Sequence, residues 1–158
     1  MPLTSYLKTM NRIHTICSLI NKTPSIVDIG CDHGKVSAYI AKNNLTDKLI
    51  VNDVSAPSLQ KAKDLLAKIP TDTQIEFVHC DGADLQNAAD LYIIAGMGGK
   101  EILRIIENTN PQNAIIAPQR NIDRVYEGLE KLSYIVETEV YAIQKNKTYP
   151  IIRIHKKS

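Results

Sequence analysis

The chain has 158 residues, a length that fits one domain with one sizeable core and leaves little over for a second. Hydrophobic residues make up 44% and charged residues 23%, a balance that sets aside disordered and fibrous classes. A net charge of +2 does not by itself announce a nucleic-acid binder, and no run approaches the ~18 consecutive apolar residues of a membrane span.

Leu7, Met10, Ile13, Cys17 and Ile20 recur at spacings of three and four, with Lys8, Asn11, Arg12 and Thr15 largely opposite. This predicts an amphipathic N-terminal helix over 5–22, with Pro24 as its stop signal. His14, Thr15 and Ser18 break the apolar run of 13–20, so a signal peptide is not expected. Short apolar runs then alternate with helical stretches. Strands are predicted at 25–30, 48–53, 74–79, 90–95 and 113–117, and helices at 35–44, 56–69, 99–107 and 122–132, with Pro57 suited to a first turn. Residues 134–142 and 148–155 alternate more strictly across the polar segment 144–147, which predicts a terminal hairpin.

Five β/α alternations imply a doubly wound, mostly parallel sheet, and near-continuous apolar strands fit burial on both faces. The expected fold is α/β, with seven strands, an antiparallel terminal hairpin and a short N-terminal helix over 1–22. All of it falls in a single domain over 1–158, and there is no internal repeat, low-complexity stretch or linker.

Six of the seven glycines fall in three loops at the ends of predicted strands: Gly30 and Gly34 after the first, Gly82 after the third, and Gly96, Gly98 and Gly99 after the fourth. Ligands of open α/β sheets bind beyond the carboxyl ends of the strands, where glycine lets the backbone come close. Glycines also simply end strands, but their restriction to one edge of the sheet favours a ligand. Asp53 ends the second strand 23 residues past Gly30, and a carboxylate there can accept hydrogen bonds from both hydroxyls of a ribose.

A dinucleotide competes for the same features, but it needs G-x-G-x-x-G so that a pyrophosphate can sit on the helix N-terminus. The pattern here is G-x-x-x-G, and Asp32 would set a negative charge where the phosphates belong. S-adenosylmethionine has no phosphate and carries a positive sulfur, so the same aspartate is tolerated. The string Gly96-Met-Gly-Gly-Lys100 lacks the spacing and the final Ser or Thr of a phosphate-binding P-loop.

Cys17, Cys31 and Cys80 form no CxxC pair and no even framework, which indicates a reducing, cytoplasmic compartment. Cys31, His33, His79 and Cys80 lack the spacing typical of zinc sites, and no metal is expected. From 140 to 158 there is no acidic residue, while Lys145, Lys147, Arg153, Lys156 and Lys157 are basic. A solvated terminus and an RNA-contacting edge both account for that.

Val27-Asp-Ile-Gly-Cys-Asp-His-Gly34 resembles the acidic-x-Gly-x-Gly-x-Gly signature of class I methyltransferases, with Asp32 at the middle glycine. The Asn/Asp-Pro-Pro-aromatic motif of exocyclic-amine methyltransferases is replaced after the fourth strand by Ala95-Gly-Met-Gly-Gly99. Together with Asp90, the segment around Asn11-Arg12 and Lys147-Thr-Tyr149, these strings resemble the bacterial tRNA adenine-N1 methyltransferases that act at position 22. The resemblance runs over nearly the whole chain. Pro118-Gln119 stands where that family more often shows Pro-Asn, and the family's C-terminal helical, coiled-coil-like region is expected to be absent.

The resemblance implies a Rossmann-like class I methyltransferase fold and S-adenosylmethionine as cofactor. Cofactor contacts are implied at Asp28, Gly30, Asp32, His33, Gly34, Asp53, Val54, Asp81, Gly82, Ala95 and Gly96. It implies tRNA as substrate, with no membrane and no protein partner. Adenine N1 has a lone pair, so alignment with the methyl group matters more than a strong base. The base must leave its stack to expose that edge. Asp32 could stabilise charge developing on the adenine, His33 could orient the loop or be a satisfied structural histidine, and Met97 and Gly98 would wall the pocket. Lys8, Arg12, Lys35, Lys100 and the basic C-terminus are the candidate phosphate contacts, and Tyr6, Tyr39 and Tyr149 the candidate stacking groups. A methyltransferase for another RNA or a small molecule, and a non-catalytic RNA-binding module, are the remaining readings.

Overall fold

A computed structural model describes residues 11–158. Seven strands form one sheet in the order β3-β2-β1-β4-β5-β7-β6. They are β1 (Thr23–Ile29), β2 (Thr46–Asp53), β3 (Gln74–His79), β4 (Leu91–Met97), β5 (Asn113–Pro118), β6 (Tyr134–Gln144) and β7 (Lys147–Lys156). The first five pair in parallel, and β7 runs antiparallel to both β5 and β6. The helices are α1 (Arg12–Ser18), α2 (Lys35–Lys42), α3 (Ala56–Leu66), α4 (Gly99–Thr109) and α5 (Ile122–Lys131).

Strand periodicity divides the core into two layers. Ile26, Leu49, Val51, Leu91, Ile93 and Ile115 pack toward α1, α2 and α3, where they meet Ile16, Ile40 and Leu59. Val27, Ile29, Tyr92, Ile94 and Ile116 pack toward α4 and α5, against Ile102, Ile105, Ile106, Val125 and Leu129. This is the doubly wound, seven-stranded arrangement expected from the sequence. β3 and β6 lie at the sheet edges; β3 mostly alternates exposed and half-buried residues, whereas β6 is exposed throughout Ile135 to Glu139.

Several boundaries differ from expectation. α1 is shorter than the span 5–22: Asn11 caps it, its Oδ1 accepting from the His14 amide at 2.9 Å, and it ends at Ser18, while Ile20 is buried in the chain that follows. Residues 5–10 of that expectation, with Tyr6 and Lys8, lie outside the described residues. Pro24 does not precede the first strand but sits within it. Thr23 donates its amide to Leu45 O on the β2 side, so Pro24 faces the β4 side, where pairing starts only at Ile26 and no donor is missed. The hairpin between β6 and β7 turns on Lys145 and Asn146, both at positive φ, the conformation that matches the strands' twist. A 3₁₀ turn at Gly82–Asp84, not anticipated, follows β3.

Candidate functional site

A cleft of about 880 Å³ opens at the carboxyl ends of β1, β2 and β4, where the strand order reverses, and α1 closes one side of it. At the end of β1, Asp28 is 2% exposed and its Oδ2 accepts from Ser37 Oγ on α2 at 2.6 Å. Burial pushes its carboxyl up to about 6; the Ser37 hydrogen bond opposes this and the nearby charge of Asp53 adds to it. The loop then turns at Gly30, with φ +72°. A Cβ there would stand 3.0 Å from Ala95 O and 2.8 Å from Met97 Cε, so glycine is what lets the β1 and β4 loops touch.

Asp32 follows with φ +53°, a left-handed conformation that aspartate tolerates better than most side chains, and its amide donates to Asp53 Oδ2 at 2.9 Å. The middle-glycine position is therefore occupied by a residue that keeps a glycine-like backbone. His33 Nε2 lies 3.5 Å from Asp32 Oδ1 at the mouth, with side chains 51% and 73% exposed. Cys31 is buried beneath them, and burial raises its thiol well above the ordinary range.

Asp53 ends β2 and takes amide hydrogens on both oxygens, Oδ2 from Asp32 and Oδ1 from Ser55 at 2.9 Å. The Cys31 thiol also reaches Oδ2, at 4.0 Å, so Oδ1 keeps the freer lone pair. Val54, next in the chain, is 72% exposed at the rim, and its carbonyl accepts from His79 Nε2 at 2.9 Å. Asn52 donates to Val78 O and Cys80 O, both at 3.0 Å, tying β2 to the end of β3. Asp81 beyond β3 accepts on Oδ1 from Arg104 Nη2 at 2.8 Å and from the Ala83 amide at 3.0 Å. The Arg104 guanidinium, with the Ala83 amide, holds its carboxyl below the usual carboxylate range. Gly82 packs under this turn against Ile29.

Of the expected cofactor contacts, Asp28, Gly30, Asp32, His33, Asp53, Val54, Asp81, Gly82, Ala95 and Gly96 line the cleft, together with Arg12, Lys35 and Met97. Gly34 does not: its missing Cβ makes room for Ala62 of α3, 2.8 Å from where that atom would be. Gly98 is covered by the Arg120 side chain, and Lys100 lies exposed on the first turn of α4 outside the cleft. Tyr149 lines a neighbouring cavity. The basic C-terminus splits by role. Arg153 Nη1 donates to Leu19 O at 2.6 Å and its Nε to Glu137, and Lys156 Nζ donates to Leu132 O, whereas Lys145 and Lys147 turn toward the neighbouring cavity.

The sequence did not single out Ser37, Glu101, Arg104 and Gln144, and marked Gln119 only as a departure from the family pattern. All but Ser37 line the cleft, and none sits in a glycine-rich loop. Among the described residues, no three of His, Cys, Asp and Glu gather as a metal site. Among the same residues no helix is long and apolar enough to cross a membrane.

The family described as methyltransferase domain matches residues 9–152. A Mycoplasma pneumoniae protein named "Putative tRNA methyltransferase" is 30% identical over 153 residues, an alignment that takes in 92% of this chain and 70% of that protein. Among solved structures, M. capricolum TrmK in complex with S-adenosyl-homocysteine superposes with a TM-score of 0.83 at 25% identity, covering 93% of this chain and 68% of that one. The B. subtilis M1A22 tRNA methyltransferase TrmK superposes with a TM-score of 0.83 at 26% identity, covering 96% and 68%.

Proposed function

The chain belongs to the methyltransferase-domain family, and from that premise we propose that it binds S-adenosylmethionine in the cleft and methylates N1 of adenine 22 in tRNA. The observation that carries this is the donor set of the cleft. Asp28, Asp32, Asp53, Asp81 and Glu101 stand around it, an environment hostile to phosphate and suited to a ligand with a positive centre and ribose hydroxyls. Gly96, at φ +79°, has only Gly30 O within 4 Å of the place a Cβ would take, at 3.9 Å, so its bare backbone leaves open space beside the loop. The residues present thus fit the group. The solved TrmK complex with the cofactor product and the m1A22 activity named for the B. subtilis relative support the choice of cofactor and target.

When bound, S-adenosylmethionine supplies a methyl group activated by a positively charged sulfur. Asp53 would accept from the ribose hydroxyls, chiefly through Oδ1, which carries only the Ser55 amide. Asp81, anchored through Oδ1, would offer its other oxygen to the adenine, and exposed Val54 would give the ring an apolar contact. Asp28 is a positioning residue: through Ser37 it holds the Gly30–Gly34 loop against α2. Asp32, largely exposed at the mouth, would offer a negative charge to the cation that forms as adenine N1 gains its third substituent, the methyl group. Met97 gives an apolar wall to the target base, and Lys35 and Arg12 bring positive charge to the side the nucleic acid approaches.

The test is primer extension on unmodified tRNA after incubation with protein and S-adenosylmethionine, because a methyl group on N1 blocks Watson–Crick pairing and halts the polymerase. The expected result is a cofactor-dependent stop at position 22 that vanishes when guanine replaces adenine there. Full-length extension from protein shown by calorimetry to bind the cofactor contradicts the proposed target.

A further inference from the structure

A second cavity, of about 310 Å³, opens beside the cleft and shares Arg12, Gln119 and Gln144 with it. Three separate pieces of chain meet there. Arg12 comes from the first turn of α1, Arg120 from the loop between β5 and α5, and Lys145, Lys147 and Tyr149 from the β6–β7 hairpin. Four cations line it and no carboxylate does, whereas the neighbouring cleft carries five carboxylates beside Arg12, Lys35 and Arg104.

None of these cations is neutralised within the described residues, where the ion pairs involve only His33, Arg104 and Arg153 on the basic side. Arg12 Nε and Nη1 are shielded from solvent and have no hydrogen-bond partner there. Guanidinium donors left in that condition are costly, and an anion on the cavity side satisfies them. Arg120 is seated by a glycine: a Cβ on Gly98 would stand 3.4 Å from its Nη2 and 3.5 Å from its Nε. The loop after β4, which borders the reaction cleft, therefore lies directly under one wall of the cationic cavity.

We propose that this cavity is a phosphodiester subsite, holding a backbone phosphate of the RNA next to the nucleotide whose base enters the cleft. The proposal rests on the reading of the chain as an RNA methyltransferase. A nucleotide's phosphate stands one sugar away from its base, which matches two cavities that share a wall. The charge contrast between them also sorts the two ligands: the positively charged cofactor to the acidic cleft, the polyanion to the basic cavity.

The test compares the wild type with the double variant Lys145→Gln/Lys147→Gln, whose side chains are exposed on the hairpin and line only the second cavity. Binding of a short fluorescein-labelled single-stranded RNA is followed by anisotropy across a salt series, and S-adenosylhomocysteine binding by calorimetry. The expected result is a log–log salt slope smaller in magnitude by about 0.7, the value for one phosphate on a single strand, with cofactor-product affinity unchanged. Arg120→Gln should weaken RNA binding in the same direction. An unchanged slope in the double variant overturns the proposal, as does a loss confined to S-adenosylhomocysteine, which would give the cavity to the cofactor's carboxylate. Wild-type protein that does not bind the RNA overturns it too. If the slope drops as expected while tRNA is not methylated at position 22, the subsite stands and the target assignment falls.

Discussion

At the scale of single residues the site depends on carboxylates that are already occupied by the protein. Asp53 orders the glycine loop through the Asp32 amide and the start of α3 through the Ser55 amide, so ribose hydroxyls meet a preset acceptor. Asp53→Ala should lower S-adenosylmethionine affinity by on the order of 1–3 kcal/mol, about 5- to 150-fold, in a folded protein measured by calorimetry. Asp28 has a different signature. Its folded carboxyl titrates at about 6, above the ordinary carboxylate value, because burial penalises the charge. The native state therefore binds the proton more tightly than the unfolded chain, and Asp28's contribution to stability is full below about pH 4 and lost as pH rises through about 6. Urea unfolding of Asp28→Asn should gain about 2–3 kcal/mol relative to wild type between pH 4 and pH 7. A constant difference across that range would mean that Asp28 is not held as described. Asp28, Asp53 and Asp81 were legible in the sequence because each is an acid at a strand end. Ser37 and Arg104 were not, because their roles depend on which helix packs over which loop.

At the scale of elements, glycines show what a sequence can and cannot tell. Their clustering at the strand ends located the cleft, yet Gly30, Gly96 and Gly99 answer to different demands. Gly99 starts α4, where a Cβ would lie 2.6 Å from Val125 Cγ2 and 2.7 Å from Asn121 O, so it sets how closely α4 approaches the start of α5. Gly99→Ala should destabilise the fold by roughly 1–3 kcal/mol, read as a lower urea midpoint. Gly96→Ala meets open space and costs only about 1–2 kcal/mol for its left-handed backbone, but its methyl group intrudes at the cleft, and its larger effect should be on cofactor affinity. A missing Cβ looks the same in sequence whether it admits a ligand, as proposed at Gly96, or a helix, as at Gly34 against Ala62. Strand positions and sheet type followed from apolar runs, whereas Pro24 was misplaced because its tolerance depends on which neighbouring strand faces its missing donor.

At the scale of the whole molecule, two helix layers leave the carboxyl ends of β1, β2 and β4 open, and α1 and the β6–β7 hairpin flank that opening. An acidic cleft and a basic cavity stand side by side, and their charges offset in the sum. A net charge of +2 summed over the whole chain does not register this contrast, whereas the positions of the charges do. Arg153 and Lys156 are tied to backbone carbonyls, so a tally of C-terminal cations overstated the surface available to RNA. The most direct measurement is nucleoside mass spectrometry of unmodified tRNA treated with the protein and S-adenosylmethionine, with adenine or guanine at position 22. The expected products are N1-methyladenosine in the adenine-22 tRNA and none in the guanine-22 tRNA. Methylation at another atom or nucleoside, or none from cofactor-loaded protein, would contradict it.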